Sequence, residues 1–162
     1  MTITSLVCGK EAVKIAVTEK QISVLQTIQR ALDPQLNSGS DEVPVCLVEP
    51  WAMEFVLEFV DYDLHLRASL NKTEQQKWET HFFGTRVGSH DKAIQVFSAA
   101  HFLDYPLMMK SFGQYVKRCI QGKTPDEIRQ EFGITVDWSE EEKAKIKEEE
   151  EYLRQFSLLA AQ

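Results

Sequence analysis

The chain is poor in cysteine, glycine, proline and histidine, and it has no long apolar run and no excess of positive charge. Its three cysteines, Cys8, Cys46 and Cys119, stand far apart, with no CxxC pair and no Cys/His cluster. That pattern excludes a disulfide framework and offers no zinc-ligand set. All three fall in apolar stretches and are expected as buried, reduced thiols. No stretch reaches the ~18 apolar residues that a membrane-spanning helix needs. The first residues, MTITSLVCGKEAVK, lack an extended apolar core followed by a cleavage site, so no signal peptide is expected. Cytoplasm and nucleus are the expected locations. The formal net charge is -7, and lysine and arginine are scattered. Binding phosphate needs clustered cations, so neither nucleic acid nor an anionic membrane is an expected partner.

Catalytic patterns are equally scarce. The four histidines, His65, His81, His90 and His101, form no HExxH and no i,i+4 ligand pair. GxSxG, P-loop and GxGxxG motifs do not occur. The glutamates at 140–142 and 148–151 read as a solvated helix face, because a catalytic carboxylate needs burial or a cleft to shift its proton affinity. No enzymatic activity, cofactor or metal is expected.

What is present is a chain of 162 residues, 43% of them hydrophobic, enough for one domain with a real core. Residues 2–8 and 12–17 alternate in polarity around Gly9-Lys10 and predict a hairpin. A helix opening at Thr18 or Glu19 carries Ile22, Leu25, Ile28 and Leu32. Residues 33–44 (DPQLNSGSDEVP) predict a polar loop, residues 45–48 a short strand, and Pro50 the start of a helix with Phe55, Val56, Phe59 and Val60. Residues 61–77 lose periodicity and predict a surface loop or frayed extension, followed by a short helical segment at 78–83. Helices are predicted at 91–103 and 105–120, the second with a broad apolar face. This order gives an α+β class, with a small sheet covered by the later helices.

The densest local signal is GKTPDEIRQEFGI at 122–134. Thr124 is a good N-cap, Pro125 fits the first helical position, and Glu127 completes a capping box. Ile128 and Phe132 share one face, and Gly133 offers a left-handed end. A last helix opens at Ser139 with Glu142 at its third position, and carries only a sparse stripe of Ile146, Tyr152 or Leu153, and Phe156. Short isolated helices are marginal in water. An apolar face this thin predicts a clamp that completes its packing on a partner, or on a second copy of the chain when no partner is present.

These segments resemble the Skp-type adaptors of Skp–cullin–F-box (SCF) ubiquitin ligases. The resemblance rests on Ala99, Ala100, Phe102, Leu103 and Asp104, on GKTPDEIRQEFGI, on the acidic run at 137–142, and on Trp78 and Phe82. It implies a BTB/POZ-type domain, a small three-stranded sheet with helices, over residues 1–120. It implies a C-terminal helical module for F-box binding or dimerisation over 121–162. The family has no catalytic activity and bridges F-box substrate receptors to a cullin scaffold. Carried over, F-box contact falls to Val116, Ile120, Pro125, Ile128, Phe132, Tyr152 and Leu153, and cullin contact to Ile94, His101 and Phe102. Departures point to a divergent paralogue. His101-Phe102 stands where many members have Asn-Tyr, which alters the cullin-facing surface; Tyr152-Leu153 replaces Trp-Cys; and an apolar tail, FSLLAAQ at 156–162, extends the end. The alternative is a structural or assembly protein of the same fold acting without a cullin, as a homodimer or in a non-ligase complex.

Overall fold

The computed structural model describes residues 4–33, 42–134 and 139–159. Most of the polar loop expected at 33–44 and the link at 135–138 lie outside the described residues, and of the apolar tail only the helical backbone as far as Leu159 is described. Strands β1 (Thr4–Cys8) and β2 (Val13–Val17) form the expected hairpin, with Cys8 opposite Val13 and Thr4 opposite Val17. Strand β3 (Glu42–Val45) adds to the other side of β1 in parallel, giving the order β2-β1-β3. Period-two alternation puts Leu6, Cys8, Val17, Val43 and Val45 on the buried face. The hairpin turn needs Gly9. Its φ is +67°, and a Cβ there would stand 2.9 Å from Pro50 Cδ.

The expected single helix after the hairpin is two pieces, α1 (Glu19–Ile22) and α2 (Gln26–Ala31). A tertiary contact explains the break. The Thr27 N–H donates to the Leu103 carbonyl at 3.3 Å, and the Thr27 hydroxyl to the Phe102 carbonyl at 2.6 Å. In a continuous helix that N–H would be committed to Ser23. The same apolar residues still point inward: Ile22, Leu25 and Ile28 are buried.

Helix α3 (Pro50–His65) is the centre of the molecule, with Ala52, Met53, Phe55, Val56, Leu57, Phe59, Val60 and Tyr62 all buried. It runs into the stretch expected as a loop. A 3₁₀ turn (Arg67–Ser69) follows, and then α4 (Lys72–Arg86). The loop expectation for 61–77 is therefore corrected. Asn71 accepts from the Thr73 and Glu74 N–H groups, and Glu74 accepts from the Asn71 N–H, a capping box that starts the helix well before Trp78. Apolar periodicity failed to mark this helix because its first turns face solvent.

Helices α5 (His90–Phe102) and α6 (Pro106–Ile120) complete the cover. The Phe59 ring lies 5.5 Å from Phe83 and from Tyr62, 5.9 Å from Phe82, 6.1 Å from Tyr105 and 6.2 Å from Trp78. Trp78 stacks on Tyr62 at 3.6 Å. One ring thus joins α3, α4 and the start of α6. The cysteine expectation holds only for Cys8, whose thiol burial pushes up to about 11. Cys46, in the turn after β3, is exposed, and Cys119, one residue before the end of α6, is half-buried.

Replacing Phe59 with alanine is expected to lower stability by about 3–5 kcal/mol, the range for truncating a buried phenylalanine. Urea unfolding followed by tryptophan fluorescence would read it. A loss below about 1 kcal/mol would contradict its central position.

Candidate docking surfaces

Among the described residues, none beyond Phe112 is fully buried. In the second half of α6, Tyr115, Val116 and Cys119 are half-buried and Ile120 is exposed. Helix α7 (Pro125–Phe132) has no buried residue at all. Its local chemistry is nevertheless complete. The Thr124 hydroxyl accepts from the Glu127 N–H at 3.3 Å, and Glu127 Oε2 accepts from the Thr124 N–H at 2.7 Å. Pro125 occupies the first turn, and Gly133 ends the helix at φ 62°. Lys123 pairs with Glu131, and Arg129 with Asp126 at 2.7 Å. Capping sets where α7 lies along the chain, while Ile128, Phe132 and Ile134 are left half-buried on one side. Pro125 itself is exposed and acts as a starter.

Helix α8 (Glu140–Leu159) is longer than the short clamp expected. Ser139 caps it, accepting from the Glu142 N–H, and Glu142 returns a bond to the Ser139 N–H at 2.9 Å. Three glutamates in its first turn face the positive end of the helix dipole. Of its apolar stripe, Ile146 is half-buried, and Tyr152 and Leu153 are 68% and 64% exposed. Lys145, Glu148 and Glu149 lie beside Tyr152 and Leu153 on the same helix. Among the described residues, the F-box-side expectations therefore fall on three consecutive helices, none of them closed over.

The second surface is the outward side of α5. Ile94 is 50% exposed, Phe97 44%, and His101 is also exposed. Their spacing of three and four puts them on one helical face. Phe102, expected beside His101, is half-buried against the core instead, its carbonyl held by Thr27. The reason is the tight corner that follows. Asp104 takes φ 51°, its carboxylate held by Arg30 at 2.8 Å, and Tyr105 returns its N–H to the Ala100 carbonyl. Phe97 was missed, although its position between Ile94 and His101 was the available signal. Leu47, 83% exposed in the turn after β3, carried no sequence signal of its own. Among the described residues, no cluster of His, Cys, Asp or Glu could hold a metal ion, and no helix is long and apolar enough to cross a membrane.

The two surfaces lie on a small α+β body followed by weakly covered C-terminal helices. Residues 114–152, from the second half of α6 through most of α8, match the family model described as "Skp1 family, dimerisation domain". The likeness extends beyond that segment. The chain is 22% identical over 161 residues to the E3 ubiquitin ligase complex SCF subunit sconC of Arthroderma benhamiae, covering 94% of this chain and 93% of that protein. It is 24% identical over 152 residues to the subunit of the same name from Talaromyces marneffei, covering 89% and 92%.

The Glu127 cap carries a pH signature. Its hydrogen bonds to the Thr124 backbone and hydroxyl hold the carboxyl below its ordinary value of 4.5. A depressed folded value means that the cap stabilises α7 above the ordinary carboxylate range and is lost as pH falls through the lowered value. Amide chemical shifts of residues 125–132 are expected to move towards coil values in acid. Glu127→Gln should shift them at neutral pH and flatten the acid transition.

Proposed function

We propose that the chain is a non-enzymatic adaptor of an SCF-type ubiquitin ligase. The C-terminal helices hold an F-box receptor, and the outward face of α5 meets a cullin. The observation that carries this reading is α7. It is fully capped yet buries none of its residues, and it lies within the segment that matches the Skp1 family. A helix of eight residues does not persist on caps alone, so its apolar side calls for a protein surface. The likeness to SCF subunits along nearly the whole chain supports an F-box receptor as that surface. We propose the same division of labour along the chain: a BTB/POZ-type body over residues 1–120 and a receptor-binding module over 121–162, acting in cytoplasm and nucleus.

On this reading Val116, Ile120, Ile128, Phe132, Tyr152 and Leu153 form the receptor side, with Pro125 setting where α7 starts. Ile94, Phe97 and His101 form the scaffold side. The imidazole at 101 is exposed and is the polar group that a cullin would have to accommodate. The family description of residues 114–152 as a dimerisation domain supports a second use of the same helices. Without a receptor, two copies would cover each other's apolar faces.

Ile128→Asp is expected to weaken binding of a purified F-box segment by at least ~30-fold, the ~2 kcal/mol or more of an interface hot spot. The far-ultraviolet spectrum and the urea midpoint of the body should stay unchanged. Global unfolding by this substitution would instead make Ile128 a core residue. Phe97→Glu should remove cullin from a reconstituted complex and leave the F-box segment bound. Retention of cullin with wild-type affinity would disqualify the α5 face.

A further inference from the structure

Helix α5 ends in a Schellman motif with an aspartate where glycine is the ordinary choice. Asp104 takes the left-handed position at φ 51°. Its N–H donates to the His101 carbonyl, and the Tyr105 N–H to the Ala100 carbonyl, both at 3.0 Å. The Leu103 N–H donates to Ala99 at 2.9 Å. These bonds occupy the carbonyls of Ala99, Ala100 and His101 and leave those of Phe102 and Leu103 without a donor from the motif. Thr27 of α2 serves both. Its hydroxyl donates to the Phe102 carbonyl at 2.6 Å, and its N–H to the Leu103 carbonyl at 3.3 Å.

The start of α2 is arranged around this contact. The Thr27 N–H is available because α1 ends at Ile22 and α2 begins afresh at Gln26. Leu25, at the N-cap of α2, supplies no side-chain cap, so the first amides of α2 need acceptors from elsewhere. The Ser23 carbonyl, which a continuous helix would have given to Thr27, accepts from the Gln29 side chain at 2.9 Å instead. Arg30 reaches the Asp104 carboxylate at 2.8 Å. One short helix thus holds residues 102, 103 and 104 in succession. The contributions are unequal. The Arg30 and Asp104 side chains are 65% and 38% exposed, and an ion pair so open to water contributes little. The hydroxyl bond of Thr27 is short and partly buried, and its loss leaves a carbonyl without a donor, which is the larger effect.

The corner matters for the outward face of α5. His101 is the second-last residue of the helix, and Phe97 lies one turn before it. If the last turn frays, His101 loses its direction first. A left-handed aspartate does not hold that turn by itself, because a side chain on Cα resists this backbone conformation. We propose that Thr27 is a positioning residue for this face. By supplying both donors that close the C-terminus of α5, it fixes the direction of His101 relative to Phe97 and Ile94, without touching what binds there. The proposal rests on the adaptor reading only for the identity of the cullin as that partner.

The test is amide hydrogen exchange followed by NMR on the full-length protein, with cullin and F-box affinities measured alongside. Thr27→Val deletes the hydroxyl and keeps the backbone N–H. In this variant exchange at residues 103–105 is expected to rise about tenfold, while β1 and α3 keep their protection. Affinity for purified cullin should fall about tenfold, and affinity for an F-box segment should hold. Thr27→Ser restores the donor and should return both exchange and cullin affinity to wild-type values. Arg30→Ala should change neither by more than about twofold. Unchanged exchange at 103–105 in the valine variant would overturn the proposal. So would weaker cullin binding without faster exchange, which would make Thr27 a direct contact, and so would an Arg30→Ala effect as large as that of valine. If valine prevents folding, Thr27→Ala, which removes the donor without crowding the carbonyl, is read by the same criteria. Wild-type protein that binds no cullin, with the exchange effects and the serine rescue intact, would remove the cullin from the adaptor reading and leave Thr27 as the residue that holds the face.

Discussion

The packing of aromatic rings around Phe59 is the interaction on which the other elements depend. A small sheet of three short strands can cover only one side of α3, and α3 buries residues on nearly all sides. The remaining sides have to be covered by α4, α5 and the start of α6. Rings from α4 and from the α5–α6 corner meet Phe59 within 6.2 Å. Once these helices are fixed, the corner at Asp104 and the break between α1 and α2 follow, because both serve the contact at Thr27. Polar groups gather at the edge of this cluster: Tyr105 donates to Asp63, and Arg67 stands between Asp63 and Glu79.

That same core explains why the C-terminal helices are left open. By Phe112 the inner volume is filled, and among the described residues α7 and α8 add no fully buried side chain. Their limits are instead set locally, by caps at Thr124 and Ser139 and by short-range ion pairs. Local bonds of this kind define helix limits well and tertiary position poorly. A module built this way is suited to a bridging protein, since its apolar faces gain the rest of their burial from whichever chain they hold. Similarity to SCF subunits along nearly the whole chain agrees with that physical arrangement.

Different parts of this structure were legible to different degrees. The hairpin, α3, α5, α6 and α7 were visible because each has either strict alternation, a broad apolar stripe, or caps at both ends. Helix α4 was obscured because its first turns carry charge outward, although Asn71 and Glu74 spelled its start. On the candidate surfaces, Ile94, His101, Ile120, Tyr152 and Leu153 are exposed. Phe102 turned inward, and Phe97 was overlooked between two residues that were named.

Sequence alone determined the elements whose cause is local: the Gly9 turn, the Thr124–Glu127 box, the left-handed Gly133 end and the acidic start of α8. These depend on groups within a few residues of one another, so spacing along the chain is enough to reveal them. Only the tertiary structure decided which half of each apolar face is covered. It turned Phe102 inward and left Phe97 out, and it split one helix into two at Thr27. Burial of that kind depends on competition among distant residues for a limited inner volume, and no local pattern records who wins it.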